Sequence, residues 1–164
     1  MLVFLLGYMG SGKTTLGQKI ASTMSVPFLD LDELITLETG MSINDLFAQK
    51  GEVVFREIEH SVLHNYPFKK NTIIATGGGT PCFYDNHDFM KSIGVTIYLK
   101  VSVAELANRL QLSHERPLLY NNTLNLHDFI IQNLHKREHE YSMSDYIVES
   151  DSISVNEIKN IIQI

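Results

Sequence analysis

The feature that most constrains this chain is the octapeptide GYMGSGKT, Gly7 to Thr14, which directly follows the apolar run Leu2 to Leu6. It matches the pattern G-x-x-x-x-G-K-[ST] in full, and the apolar stripe Leu16, Ile20 and Met24 behind it predicts a helix. In this context the pattern binds phosphate, because backbone N–H groups and the helix dipole face the anion. An ordinary glycine-rich turn is the alternative, but a full chance match is expected in only about one in a hundred chains of this length.

The residues of this loop have different expected tasks toward a bound nucleotide. Lys13 is long enough to reach the β- and γ-phosphates, and the Thr14 hydroxyl is a suitable ligand for Mg²⁺. We therefore predict ATP and Mg²⁺ as the cofactors. The loop residues expected to contact ATP are Gly10, Ser11, Gly12, Lys13, Thr14 and Thr15.

Four further apolar runs follow the first, and segments of helical period separate them. They are Val26 to Leu29, Thr72 to Thr76, Val95 to Val101 and Tyr146 to Val148. Strands that are apolar almost throughout are typical of a parallel sheet covered on both faces. The predicted fold class is therefore α/β, a three-layer sandwich with a five-stranded parallel sheet. No linker or repeat divides the 164 residues, so we predict one domain over 1–164.

Composition narrows the classes of partner. The 13 basic residues stand against 19 acidic ones, a formal charge of −6 that argues against a broad nucleic-acid surface. No apolar run has the length of a membrane span, so we expect no membrane partner. One cysteine, Cys82, cannot form an internal disulfide, which is typical of a reducing compartment. We expect a cytoplasmic monomer.

A pair of carboxylates, Asp30 and Asp32, ends the second predicted strand. Ligands of open α/β sheets bind at the carboxyl ends of the strands. Beside a Mg-nucleotide, one acid can hold the water shell of the metal, while the other orients or deprotonates an attacking hydroxyl. The alternative for either acid is that it caps the helix predicted to begin near Glu33.

Three glycines, Gly77 to Gly79, follow the third predicted strand. They let a ligand approach bare backbone, although glycine-rich turns are common and the signal is weak by itself. No acid follows that strand directly, where many phosphate-loop enzymes keep a metal-binding Asp. We expect Asp30 to take over that task.

The chain has four arginines, Arg56, Arg109, Arg116 and Arg137. Arginine binds carboxylates and phosphates in a bidentate way that lysine cannot match. Arg56 and Arg137 lie on predicted inward helix faces, whereas plain surface charge is the alternative for Arg109. The weakly periodic stretch 111–126 is predicted to be a mobile lid, from which Arg116 can close over ATP.

Other reactive side chains have milder interpretations. His135 and His139 are four residues apart, a spacing that can bind zinc, but no general-base motif accompanies them and a solvated helix face is favoured. We interpret Cys82 as structural.

Seven segments together resemble the shikimate kinase family from residue 7 to residue 141. In order they are GYMGSGKTTLG, FLDLDELI, GMSINDLF, GEVVFREIE, IIATGGG, ERPLL and REHEY. The resemblance implies a nucleoside-monophosphate-kinase-like fold with a closing lid. It also implies ATP- and Mg²⁺-dependent phosphorylation of the 3-hydroxyl of shikimate, in chorismate and aromatic amino-acid biosynthesis.

The resemblance also implies residue roles. Lys13, Asp32 and Arg116 are the implied catalytic residues, Arg109 flanks adenine, and Thr14 and Asp30 hold the metal, Asp30 through water. The implied shikimate ligands are Asp32, Arg56, Gly78, Gly79 and Arg137. The stretch Thr80 to Cys82 departs from the aliphatic residues expected there.

Two rival classes share the phosphate-binding loop. Another small-molecule kinase such as a gluconate kinase has no need for an arginine pair suited to a cyclic carboxylate. A regulatory switch that binds guanine nucleotides needs an N-K-x-D motif, which the chain lacks.

Overall fold

The structure, a computed structural model, describes residues 1–112 and 125–162. Its five strands are β1 Leu2–Leu6, β2 Phe28–Asp30, β3 Thr72–Ala75, β4 Val95–Lys100 and β5 Tyr146–Glu149. They form one sheet in the order β2-β3-β1-β4-β5, and every neighbouring pair is parallel. The predicted five-stranded parallel sheet is confirmed.

Helices connect these strands along the chain. They are α1 Lys13–Met24, α2 Leu31–Thr39, α3 Ile43–Asn65, α4 Asn86–Ile93, α5 Val103–Leu112, α6 Leu126–Ser142 and α7 Val155–Ile162. Helix α3 is interrupted at Gly51, whose φ of 80° is not helical. None of the helices in the described ranges is both long and apolar enough to cross a membrane.

Two apolar cores cover the two faces of the sheet, and β1 contributes to both. Val3 and Leu5 face the core made with α1 and α7, whereas Phe4 and Leu6 face the core made with α2, α3 and α4. All four side chains are fully buried. Because successive strand residues point to opposite faces, this continuous apolar run explains the three-layer arrangement.

Several predicted boundaries differ from the structure, most of them by one residue, and the start of β2 and the ends of the predicted lid differ by two. Strand β2 begins at Phe28 and not at Val26, because Val26 N–H bonds back to Ala21 at the end of α1 (3.0 Å). Both ends of the predicted lid 111–126 belong to helices instead, since α5 continues to Leu112 and Asn125 caps α6 by accepting from Asp128 N (2.9 Å). The remaining positions, 113–124, lie outside the described residues.

The Asp145 carboxylate links the edge strand β5 to β4. Asp145, just before β5, accepts hydrogen bonds from the backbone N and the hydroxyl of Thr96, both at 2.9 Å, and Lys91 Nζ lies 3.5 Å away. Burial by itself would raise the pKa of the Asp145 carboxyl, but the Thr96 bonds and the Lys91 charge outweigh it and lower that pKa below 3.8. Ionised Asp145 therefore stabilises the pairing of β4 and β5.

We expect Asp145→Asn to lower the free energy of unfolding by about 1 kcal/mol at pH 7, because a neutral amide accepts weaker hydrogen bonds than a carboxylate. A depressed folded-state pKa stabilises above the unfolded-state value and loses its effect as the pH falls through the folded-state value. Urea unfolding should therefore show a constant difference between pH 7 and pH 5 that shrinks below about pH 4. The exposed Glu38→Gln variant is the control, and an equal loss there would contradict the prediction.

Candidate active site

The loop after β1 has the backbone shape that phosphate binding requires. Gly7 has a φ of 144°, and a Cβ at this position would lie 2.9 Å from the Leu99 carbonyl oxygen of the neighbouring strand. Gly12, at the N-cap of α1, has a φ of 92°. Both conformations are unfavourable for residues with a Cβ, so glycine is needed where the chain turns into α1.

Lys13 begins α1, and its side chain bends back over the loop. The residue is buried, and its Nζ donates to the carbonyl oxygens of Gly7 (2.8 Å) and Tyr8 (3.0 Å). These bonds hold the ammonium group above the loop, where the chain turns into the helix. The position suits an ion pair with the terminal phosphates of a nucleotide.

Thr14 and Asp30 are joined directly. The Thr14 hydroxyl donates to Asp30 Oδ2 at 2.7 Å, and Asp30 Oδ1 accepts from the backbone N of Asp32 at 3.0 Å. The second bond makes Asp30 the N-cap of α2, which begins at Leu31 and not near Glu33. The capping alternative is therefore confirmed for Asp30, and its other oxygen contacts the predicted metal ligand Thr14. A hydroxyl and a carboxylate are oxygen ligands, which fits Mg²⁺.

A cavity of about 530 Å³ lies over this loop at the carboxyl edge of the sheet. Both carboxylates of the Asp30 and Asp32 pair line it, together with Lys13 and Thr14. Arg109 on α5 reaches the same cavity. The structure thus brings together most of the residues predicted to contact ATP.

Arg109 is not a free surface charge. Its guanidinium donates to the Gly10 carbonyl at 3.2 Å and the Asp151 carbonyl at 2.5 Å, while its Nε donates to Glu105 at 2.7 Å. It therefore links the phosphate loop to the segment after β5. A smaller cavity of about 290 Å³ lies beside it. Its walls include the predicted residues Ser11 and Thr15 and also the stretch 152–155, which contains no predicted site residue.

A second large cavity, of about 440 Å³, adjoins the first and shares Asp32, Gly77 and Gly78 with it. Arg56 from α3 and Arg137 from α6 both line it. Two guanidinium groups that lie 81 positions apart in the sequence thus meet in one cavity. Aromatic side chains, including Phe47 and Phe55, supply apolar wall.

Arg56 is held by a buried ion pair. Its Nη1 donates to Glu59 Oε2 at 2.8 Å, and Glu59 has no exposed surface. The second oxygen, Glu59 Oε1, accepts from the Thr80 hydroxyl at 2.6 Å. The Arg56 guanidinium also lies over the rings of Phe83 and Phe55, at 4.3 and 4.9 Å from their centroids. A fully buried carboxylate needs such partners because its removal from water is costly.

Two of the three glycines after β3 are required by this convergence of side chains. A Cβ on Gly77 would lie 2.9 Å from Glu59 Oε1 and 3.0 Å from Asp32 Oδ1. On Gly79 it would lie 2.7 Å from Cζ of Arg56. The glycines therefore make room for the acid and arginine side chains as well as for a ligand.

Arg137 and Tyr141 lie one turn apart on α6 and face the same glycine loop. A Cβ on Gly78 would lie 3.5 Å from Arg137 Nη1, and the Tyr141 hydroxyl donates to the Gly78 carbonyl. Burial raises the pKa of Tyr141, so its hydroxyl keeps the proton that it donates. Tyr141 thereby ties the backbone of the glycine loop to the helix that carries Arg137.

The remaining residues considered from the sequence are the cysteine, two histidines of α6 and Arg116. Burial raises the pKa of the Cys82 thiol to about 11, so it is protonated at pH 7 and a poor nucleophile. His135 and His139 are exposed on α6, as the interpretation of a solvated face predicts. Arg116 lies outside the described residues. Thr80 departs from the family pattern, and no local sequence pattern indicates its bond to Glu59.

Comparison with known proteins agrees with this geometry. Residues 9–163 match the family described as shikimate kinase. A shikimate kinase of Parabacteroides distasonis is 42% identical over 164 residues, covering 96% of this chain and 95% of the relative. The crystal structure of shikimate kinase from Bacteroides thetaiotaomicron superposes with a TM-score of 0.94 at 40% identity, over 100% of this chain and 99% of that one.

A second solved structure was determined with a ligand. Shikimate kinase from Acinetobacter baumannii in complex with shikimate has a TM-score of 0.84 and 33% identity, over 99% of this chain and 90% of that one. These matches span nearly the whole sequence. On this evidence the chain belongs to the shikimate kinase family.

Proposed function

We propose that this chain transfers the γ-phosphoryl group of ATP to the 3-hydroxyl of shikimate, giving shikimate 3-phosphate and ADP, in chorismate and aromatic amino-acid biosynthesis. The observation that carries the proposal is the pair of adjoining cavities. One lies over a phosphate-binding loop, and the other holds two arginines suited to a carboxylate. Asp32 lines both, at the junction where an acceptor hydroxyl would meet the γ-phosphate.

On the nucleotide side, the backbone of the loop and Lys13 bind the phosphates, while Arg109 flanks adenine. The Thr14 hydroxyl would bind Mg²⁺ directly, and the Asp30 carboxylate would hold it through a water molecule. When bound, the metal neutralises charge on the β- and γ-phosphate oxygens. The proposed task of Arg116, closing from a lid over ATP, stays a prediction.

On the acceptor side, Arg56 and Arg137 bind the carboxylate, and the backbone of Gly78 and Gly79 lines the ring. The Glu59 carboxylate keeps the guanidinium of Arg56 in one orientation. With its carboxylate held at one end, the substrate presents a ring hydroxyl to Asp32 at the other. Asp32 orients that hydroxyl or accepts its proton, and such positioning is a large part of phosphoryl-transfer catalysis.

The cellular context is part of the same proposal. A cytoplasmic monomer without a nucleic-acid or membrane partner stays a prediction from composition. Shikimate and ATP are the proposed small-molecule partners.

The function is tested by measuring ADP release with shikimate, gluconate and nucleoside monophosphates as acceptors, and by repeating it with Arg56→Lys and Arg137→Lys. We expect shikimate to be the preferred acceptor by a wide margin. Each variant should raise the KM for shikimate about tenfold or more and leave the KM for ATP nearly unchanged, because lysine keeps the charge but loses the planar fork.

The control for this experiment is a shikimate analogue whose carboxylate is reduced to an alcohol. It should be a poor acceptor for the unsubstituted enzyme, and its KM should change little in either variant. The proposal is wrong if gluconate is the preferred acceptor, or if the alcohol analogue is phosphorylated as efficiently as shikimate.

The two acids are expected to differ in their effects. Asp32→Asn should lower kcat by about 10² to 10⁴, the range for loss of a general base, while ATP affinity survives. Asp30→Asn should instead raise the Mg²⁺ concentration needed for half-maximal activity, because it removes the negative charge beside Thr14 that attracts the metal ion. Nucleotide titration and a Mg²⁺ series separate the two variants. Loss of ATP affinity in Asp32→Asn with intact shikimate affinity would mean that the roles are exchanged.

Thr80 is expected to act through Glu59 and Arg56. Thr80→Val leaves a buried carboxylate oxygen without its donor, a cost of roughly 1–3 kcal/mol. We expect a several-fold higher KM for shikimate, a lower melting temperature and an almost unchanged kcat. Thr80→Ser keeps the hydroxyl and should restore the KM, whereas equal KM values in all three proteins would contradict this role.

A further inference from the structure

A cluster of metal-ligating side chains lies on the side of α3 that faces α4, outside the cavities described above. His60 and His64 are one helical turn apart, and their ring centroids are separated by 4.0 Å. Asp85, at the N-cap of α4, places Oδ1 3.7 Å from His60 Nδ1 and 3.6 Å from His64 Nε2. One ligand atom from each of the three residues lies within 4.8 Å of the others, the one such group in the described ranges.

These contacts are longer than hydrogen bonds, and they are ion pairs only when the imidazoles are protonated. Among the described residues, His64 Nε2 has no hydrogen-bond partner although it is inaccessible to solvent. A buried polar atom in this condition costs free energy unless something binds it. The lone pair of a neutral imidazole is a ligand for a metal ion.

A fourth polar atom, Oδ1 of Asn86, faces the same point. The side chain of Asn86 is fully buried, and its Nδ2 donates to the Thr80 carbonyl at 2.9 Å. That bond turns Oδ1 toward His60, whose Nδ1–H donates to it at 2.8 Å, so a metal ion bound by this nitrogen would take the place of that proton. An amide oxygen and two imidazole nitrogens are thus held in place by α3 and α4, while the exposed Asp85 can adjust.

We propose that His60, His64 and Asp85 bind a divalent transition-metal ion of the zinc class, with the Asn86 amide oxygen beside them. Metal–ligand bonds of about 2.0–2.2 Å separate neighbouring ligand atoms by about 3–3.5 Å. The Asp85 distances of 3.6 and 3.7 Å are close to that spacing, and all three ligand atoms lie within 4.8 Å of one another, so small movements of these side chains, above all of the 67% exposed Asp85, would complete the site.

The ligand set selects the class of metal. Imidazole nitrogens suit Zn²⁺, Ni²⁺, Co²⁺ and Cu²⁺, whereas Mg²⁺ prefers six oxygens in octahedral geometry. The cluster is therefore distinct from the Thr14 and Asp30 oxygens that suit the metal of ATP. None of its three ligands lines the nucleotide or acceptor cavity, so the site is independent of the proposed function.

The test is a Zn²⁺ titration of the full chain by calorimetry, after treatment with a chelator and without nucleotide, because ATP itself binds Zn²⁺. The unsubstituted protein should bind one Zn²⁺ at this site and melt at a higher temperature when it is bound. His64→Ala and Asp85→Asn should each weaken that binding at least about tenfold. The Co²⁺ form should show visible absorption that both variants lose.

The chain offers a matched control on α6. His135 and His139 have the same spacing on a helix but are exposed. The double variant His135→Ala/His139→Ala should keep the Zn²⁺ affinity of the unsubstituted protein. Because Asp85 is exposed, Asp85→Asn is expected to fold normally, and melting in chelator checks this. The proposal is overturned if the protein binds no Zn²⁺, if the control abolishes binding, or if a folded Asp85→Asn binds as tightly as the unsubstituted protein. Binding of Mg²⁺ at this site as tightly as Zn²⁺ would also overturn the proposal.

Discussion

The Glu59 carboxylate is the group on which the acceptor side of this molecule depends. It is fully buried, and an ionised carboxylate in that position is stable only with charge and hydrogen-bond partners around it. Arg56 satisfies one oxygen and Thr80 the other. Glycine at positions 77 and 79 follows from this arrangement, since a Cβ at either place would collide with Glu59 or Arg56. One buried ion pair thus connects α3, the loop after β3 and the second cavity.

Asp30 has a comparable task on the nucleotide side. One oxygen caps α2 and the other accepts from Thr14, so a single carboxylate fixes both the start of a helix and the metal-ligand candidate of the phosphate loop. Capping and metal positioning are often treated as competing explanations for an acid after a strand. Here the cap and the Thr14 contact use different oxygens of the carboxylate, so the same residue makes both.

Hydrogen bonds also bring distant segments of the chain to the site. Arg109 joins the phosphate loop to the segment after β5, and Tyr141 joins α6 to the Gly78 carbonyl. Parallel strands all end at one edge of the sheet, so loops far apart in sequence lie close together there. The two cavities are neighbours for this reason, and Asp32 lines both.

The sequence alone was sufficient for the features that depend on local chemistry. The turn from β1 into α1 and the five strands are each encoded within a few neighbouring residues, and the structure confirms them. Only the tertiary structure shows that Thr80 donates to Glu59, or that His60, His64 and Asp85 form one cluster. Those contacts join residues from different elements. They depend on how α3 packs against α4 and against the loop after β3. Hydrophobic burial determines this packing, and it leaves no spacing pattern in the sequence.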